Sequence, residues 1–199
     1  MSSLVVSSEP AVEPVTLTEA KLFARIDTSD DDALINALIT TARARSEMYT
    51  GRTWVHTIFD YYMDAQELAS LNSGPIVLPT CPLKTSSVTV KYYDYDGTEN
   101  TFSASNYWVD LYSVPARLCL MLGQSYPSAI RENNGLKVTF TAGYSADATS
   151  VPEAAKTAIK IMVADMYEHR EDDAIDKAVT SIPTSAKMVL YPLKVRRFW

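Results

Sequence analysis

The 199-residue chain is 47% hydrophobic and 21% charged, a balance that excludes intrinsic disorder and leaves room for one domain, with or without a subdomain. Its formal net charge of −6 argues against a general nucleic-acid binder, which needs cations to replace phosphate counterions. No apolar run approaches the ~20 residues of a membrane span. The N-terminus lacks a basic and apolar leader, and Cys81 and Cys119 fit neither a metal site nor a disulfide framework. A soluble protein made in a reducing cytosol is expected.

Residues 1–15 are rich in Ser, Val and Pro without periodicity and predict an extended arm. Thr16 then stands three residues before Glu19, the spacing of a reciprocal cap, and opens a short helix ending near Arg25–Asp27. Leu17, Ala20, Leu22, Phe23 and Ala24 supply its apolar face. A second helix is expected over about 30–50, with Ser29 or Asp30 as cap and the acidic run Asp30–Asp32 at the positive end of its dipole. Leu34, Leu38 and Ala42, with Ile35 and Ile39 alongside, form its apolar stripe, and Gly51 is placed to end it.

From Thr53 to Tyr144 the texture changes to strand. "TWVHTIFDYYM" is rich in β-branched and aromatic residues, "SVTVKYYDYDGTENTF" carries a hairpin turn at Asp96-Gly97, and further strands are expected near 76–78, 107–111, 115–121 and 136–142. The 12 tyrosines and 3 tryptophans suit such strands, and equally suit interfaces, since each joins a large apolar face to a polar tip. After Tyr144, Ser150, Pro152 and Glu153 signal a helix start. Ala155, Ala158, Ile159, Met162, Val163 and Met166 make its buried stripe, "EHREDD" its wet end, and a last short helix spans roughly Thr184–Tyr191.

The expected fold is therefore α+β: a helical bundle core built from 16–52 and 145–192, an antiparallel β subdomain inserted at 53–144, an N-terminal arm at 1–15 and a tail at 193–199. Short strands with turns between them read as a small sheet or sandwich.

Signs of catalysis are missing. His56 sits in a strand pattern and His169 on a charged helix end, neither with a second ligand at metal spacing. "DYDG" at 94–97 lacks the later acids of a calcium loop and reads as a hairpin. There is no G-x-S-x-G, P-loop or dinucleotide fingerprint, and 6 glycines leave little for phosphate-cradling loops. No catalytic residue, cofactor or metal is expected.

Five stretches carry a resemblance: "VTLTEAKLFARIDTSDDDALINALITTARARSEMYTGR" at 15–52, "PIVLPTCPLKTSSVTVKYYDYDG" at 75–97, "NYWVDLYSVPARL" at 106–118, "VTFTAGYSADATSVPEAAKTAI" at 138–159 and "SIPTSAKMVLYPLKVRRF" at 181–198. In this order they resemble the head–tail connector (adaptor, or head-completion) proteins of long-tailed double-stranded DNA phages, in the branch with a β insertion between the helices. Residues 1–14 match no part of that pattern. The resemblance implies a non-enzymatic structural protein of the virion, assembled in the host cytoplasm. It would form a homo-oligomeric ring, commonly a dodecamer, under the portal protein, with a tail-side completion or stopper protein beyond it. Double-stranded DNA would pass through the ring without specific binding, and no membrane is involved. Another tail-completion or baseplate protein is the alternative.

The resemblance also gives the C-terminus a role in portal docking. There Leu193, Val195, Phe198 and Trp199 are apolar anchors interleaved with Lys194, Arg196 and Arg197, and aromatic and Arg residues are the usual carriers of interface energy.

Overall fold

The computed structural model describes residues 2–84, 88–169 and 182–195. In chain order its elements are β1 (Ser3–Ser8), α1 (Leu17–Ala24), α2 (Asp32–Thr50), β2 (Thr57–Met63), α3 (Ala65–Ser70), β3 (Ile76–Val77), β4 (Thr89–Tyr93), β5 (Glu99–Phe102), β6 (Tyr107–Asp110), β7 (Arg117–Leu120), β8 (Leu136–Ala142), α4 (Glu153–Glu168) and α5 (Thr184–Leu190). The architecture is mixed α and β, and every strand pair is antiparallel. The chain divides into two compact units, one of Ala11–Val55 with the described part of Ser145–Arg196, the other of the N-terminal strand with His56–Tyr144.

The first unit is helical. Thr16 and Glu19 form the reciprocal cap their spacing predicts: the Thr16 hydroxyl accepts the Glu19 N–H at 3.2 Å, and Glu19 Oε2 accepts the Thr16 N–H at 2.8 Å. Arg25, in the left-handed region at φ 56°, ends α1. The side chain of Asp31 makes no capping bond to α2, whose first-turn carboxylate, Asp32, instead pairs with Lys21 at 2.6 Å. Likewise Pro152, not Ser150, stands at the cap position of α4. The helices α1, α2, α4 and α5 pack against one another.

Two apolar faces differ from expectation. In α2 the buried stripe is Ile35, Ile39, Ala42, Arg43, Ser46 and Thr50, while Leu34 is exposed. In α1 only Ala20 is buried, and Leu22 and Phe23 face solvent. Periodicity finds an apolar set, but small residues decide which part of it a neighbouring helix can approach. The α4 stripe of Ala155, Ala158, Ile159, Met162 and Val163 is buried as its spacing implies, while Met166, expected with them, is only half-buried.

The second unit holds a five-stranded sheet in the order β1-β2-β8-β4-β5 and a three-stranded sheet in the order β3-β7-β6. β8 is its spine. Leu136, Val138, Phe140 and Ala142 alternate into the core with the period of a strand buried on one face. Phe140 sits opposite Phe59 on β2, their rings stacked 5.7 Å apart, and Val138 sits opposite Val90 on β4. Ile76, Leu78, Phe102, Tyr107 and Leu118 join the cluster, with Met63, Leu68 and Ile130. The hairpin at 94–97 forms as its residues predict: Gly97 takes φ 82°, and Asp94 Oδ1 accepts the N–H groups of Asp96 and Thr98.

Two elements had no clear sequence signal. One is α3, a single short helix. The other is β1, whose six residues are all exposed at the edge of the five-stranded sheet.

Phe140→Ala, which empties the middle of the spine, is expected to cost about 3–5 kcal/mol in urea unfolding. Thr16→Ala, which removes one side of the α1 cap, is expected to cost about 1 kcal/mol.

Candidate docking interface

The C-terminal end of α2 gathers the densest polar network of the helical unit. Gly51 closes the helix at φ 71°, its N–H bonded to the Glu47 carbonyl at 2.8 Å, and the chain doubles back. Trp54 is then driven under the helix, fully buried. It fits because position 46 is a serine: the indole N–H donates to Ser46 Oγ at 2.7 Å, so the ring is buried without an orphaned donor. The Trp54 backbone N–H donates to Glu47 Oε1 at 2.8 Å. Glu47 Oε2 accepts from Arg43 at 3.1 Å, and Arg43 in turn donates to Glu13 at 2.9 Å. Burial raises the Glu47 carboxyl above its ordinary range, against the pull of the Trp54 N–H and of Arg43.

Onto this end lands the last described segment of the chain. After α5, a 3-10 turn at Tyr191–Leu193 aims the backbone at α2. Arg52 Nε donates to the Leu193 carbonyl at 2.5 Å, and the Val195 N–H donates to the Thr50 carbonyl at 2.8 Å. The Lys194 ammonium lies 4.8 Å from the centre of the Tyr49 ring, a cation–π distance. Val195 packs against Gly51, within 3.6 Å of where a side chain there would begin. Leu193 and Val195 are thus half-buried on the chain's own helix, while Lys194 is exposed. Of the seven docking residues expected from sequence, these three come together here; Arg196, Arg197, Phe198 and Trp199 lie outside the described residues.

The remaining candidates serve structure. Asp31 accepts the Tyr167 hydroxyl at 2.6 Å and Asp32 holds Lys21, so two of the three acids of the run are engaged within the unit, while Asp30 is exposed. His169 packs its ring against the Asp165 carbonyl at the end of α4. Among the described residues no three His, Cys, Asp or Glu side chains form a group that could hold a metal. A shallow depression of about 710 Å³ lies in the β unit beside α3, lined by Asp64, Gln66, Tyr126 and Glu132 among others, and burial pushes the Tyr126 phenol up to about 12. Its Tyr126 hydroxyl is already bonded to the Gly74 carbonyl at 2.9 Å, which leaves it a packing role.

Two carboxylates are held far below the usual range. On β5, Glu99 is lowered to about 2 by Lys91 at 2.6 Å, by the Tyr93 hydroxyl and by Lys137. Asp110 is likewise lowered to about 2, first by the Ser113 hydroxyl at 2.6 Å and then by Arg117 at 2.7 Å. Both are acceptor clusters that fix loops and hairpins.

The model of the family described as "Phage gp6-like head-tail connector protein" matches residues 14–114. The chain belongs to this family. The connector has matches among solved structures as well. It aligns with a chain of the neck of an empty gene transfer agent (GTA) particle, computed with C6 symmetry, at a TM-score of 0.76 and 19% identity, over 99% of the connector and 97% of that chain. A chain from the virion of a native GTA particle aligns at 0.76 and 18% identity, over 98% and 97%. One from the neck of a native GTA particle computed with C12 symmetry aligns at 0.63 and 17%, over 98% and 97%. None of the curated proteins matches the chain. At these identities the alignments show that the whole connector shares one fold with those chains, and the family and its structural neighbours are building parts of particles.

Sequence reading named the arriving segment and missed the receiving end. Arg52, Tyr49 and Thr50 follow or precede Gly51, and the signal available was that a helix end with an αL glycine exposes carbonyls for another strand of chain to bond.

Asp110→Asn tests the depressed carboxylate. The folded value lies below the unfolded one, so the ionised form contributes stability above about pH 4 and loses it as pH falls toward 2. The variant should melt below the native protein at pH 7, and the gap should narrow as pH falls to 2 and close below it.

Proposed function

We propose that the connector is a structural, non-enzymatic ring protein at the head–tail junction of a long-tailed DNA phage. Copies assemble beneath the portal protein as a ring, a dodecamer in this reading, extend the channel for double-stranded DNA and present a platform to a tail-side completion or stopper protein. Assembly takes place in the host cytoplasm before the ring is built into the virion. The observation that carries the proposal is the fold shared from end to end with chains of a particle neck, in a member of the connector family.

In this reading the helices of 16–52 and 145–192 are the bundle core of each subunit, 53–144 is the β insertion and 193–199 is the portal-docking tail. Physical chemistry supports it. A subunit of charge −6 multiplied around a ring makes a channel that passes DNA without gripping phosphate. The attachment of Leu193 and Val195 to α2 supports a docking tail held to its subunit at a fixed point, and in this reading Arg196, Arg197, Phe198 and Trp199 meet the portal.

Electron microscopy of the purified connector mixed with portal should give a ring stacked coaxially on the portal; binding to tail-tube proteins alone would reject the proposal. Deleting residues 196–199, which keeps the bonds of 193–195 to α2, should preserve helicity by circular dichroism and abolish portal association. Normal association by the shortened chain would refute the docking role.

A further inference from the structure

Two exposed apolar patches mark the helical unit, and they differ in kind. At the first, the end of α1 presents Leu22, 81% exposed, and Phe23, 45% exposed, beside the loop into α2. At the second, Met48 near the end of α2 is 81% exposed, while Met188 of α5 and Tyr191 of the turn after it are 71% and 55% exposed. The pair Lys21–Asp32 fixes the first patch at the start of α2, and the bonds from Arg52 and Thr50 to 193–195 fix the second at its end. Asp32 and Met48 are separated by roughly 24 Å of helix axis at about 1.5 Å per residue. The patches therefore lie at opposite ends of one rigid rod.

Their charges are opposite. Around Leu22 and Phe23 stand Asp27 and Asp30, both exposed, with Asp31 and Asp32 behind them, against Arg25 and the paired Lys21. Toward Met48, Met188 and Tyr191 the cations are Lys187, next to Met188 on α5, the exposed Lys194, which lies over the Tyr49 ring, and Arg52, which is bonded to the Leu193 carbonyl; the acid there, Glu47, is turned inward to Arg43 and Trp54. A patch that is apolar with an acidic rim thus has its complement on the far end of the same molecule, apolar with a basic rim. Joining one to the other makes a head-to-tail contact that can repeat from copy to copy, and such a contact gives a ring where its rotation closes.

We infer that the occupant of each patch is a second copy of this chain: Leu22 and Phe23 of one subunit seat on Met48, Met188 and Tyr191 of the next, with Asp27 and Asp30 facing Lys187 and Lys194. The inference rests on the ring reading above and names the surfaces that close it. Exposed apolar side chains with an aromatic at each centre and charges at the rim are the usual anatomy of such contacts.

The test uses two full-length variants, Leu22→Glu/Phe23→Glu for the first end and Met48→Glu/Met188→Glu for the second, each checked for native helicity by circular dichroism and sized by native mass spectrometry with and without portal. Each alone should form no ring. Mixed, they should give a one-to-one pair and nothing larger, because each retains the end the other lacks. A second set avoids the apolar positions: Asp27→Lys/Asp30→Lys should abolish rings, and adding Lys187→Glu to the same chain should restore them in part. Rings formed as usual by either apolar variant would overturn this interface while leaving the ring itself in place. A native connector that forms no ring even with portal present would overturn the ring reading, and this interface with it.

Discussion

The helical unit depends on one packing event, the contact of α2 with α4. These helices begin 121 positions apart in the chain, at Asp32 and Glu153, so closing them together carries a substantial loop entropy that local sequence cannot offset. What offsets it is the burial of one face of each helix, rich in small residues. Ala42 and Ser46 on α2, and Ala155 and Ala158 on α4, are fully buried beside Ile35, Ile39, Ile159 and Met162. Small side chains let two helix backbones approach, and the large ones fill the space between. The excursion from His56 to Tyr144 is bracketed by a single bridge, Val55 to Ser145, at which the chain leaves the unit and returns. The abrupt change of structure after Phe140, through Gly143 to Pro152, is the signature of that return.

A second consequence follows from where α2 stops. Because Gly51 reverses the chain and Trp54 is buried against Ser46, the helix end becomes a hub that binds both Glu13 from before α1 and the segment 193–195 from after α5. Both termini of the unit are thereby tied to one short stretch, residues 43–54. In a subunit built to link other bodies, such a hub keeps the attachment points in register while the β unit folds on its own spine.

Much of the fold was legible because its signals are local. The Thr16–Glu19 cap, the stop at Gly51, the Asp96-Gly97 turn and the alternation of Leu136, Val138, Phe140 and Ala142 each need only a few neighbours to have meaning, and each forms. On α2 the expected Ile35, Ile39 and Ala42 are buried while Leu34 faces solvent and Leu38 is half-buried, since Leu34 and Ile35 are equally apolar and only the partner helix selects between them. β1 was invisible for a related reason: an edge strand exposed on both faces has no alternation to read. Toward the C-terminus, the aromatic and basic residues of 193–199 were evident from composition, but the anchorage of 193–195 was not. It runs through backbone carbonyls of Thr50 and Leu193, which no side-chain pattern reports.

The most direct test is native-state hydrogen exchange on the intact connector, read for α2 and α4 separately. If their interface organises the helical unit, the buried amides of both helices should open together, with the same free energy and the same dependence on denaturant. Exchange of α4 at markedly lower free energy, while α2 stays protected, would contradict the account.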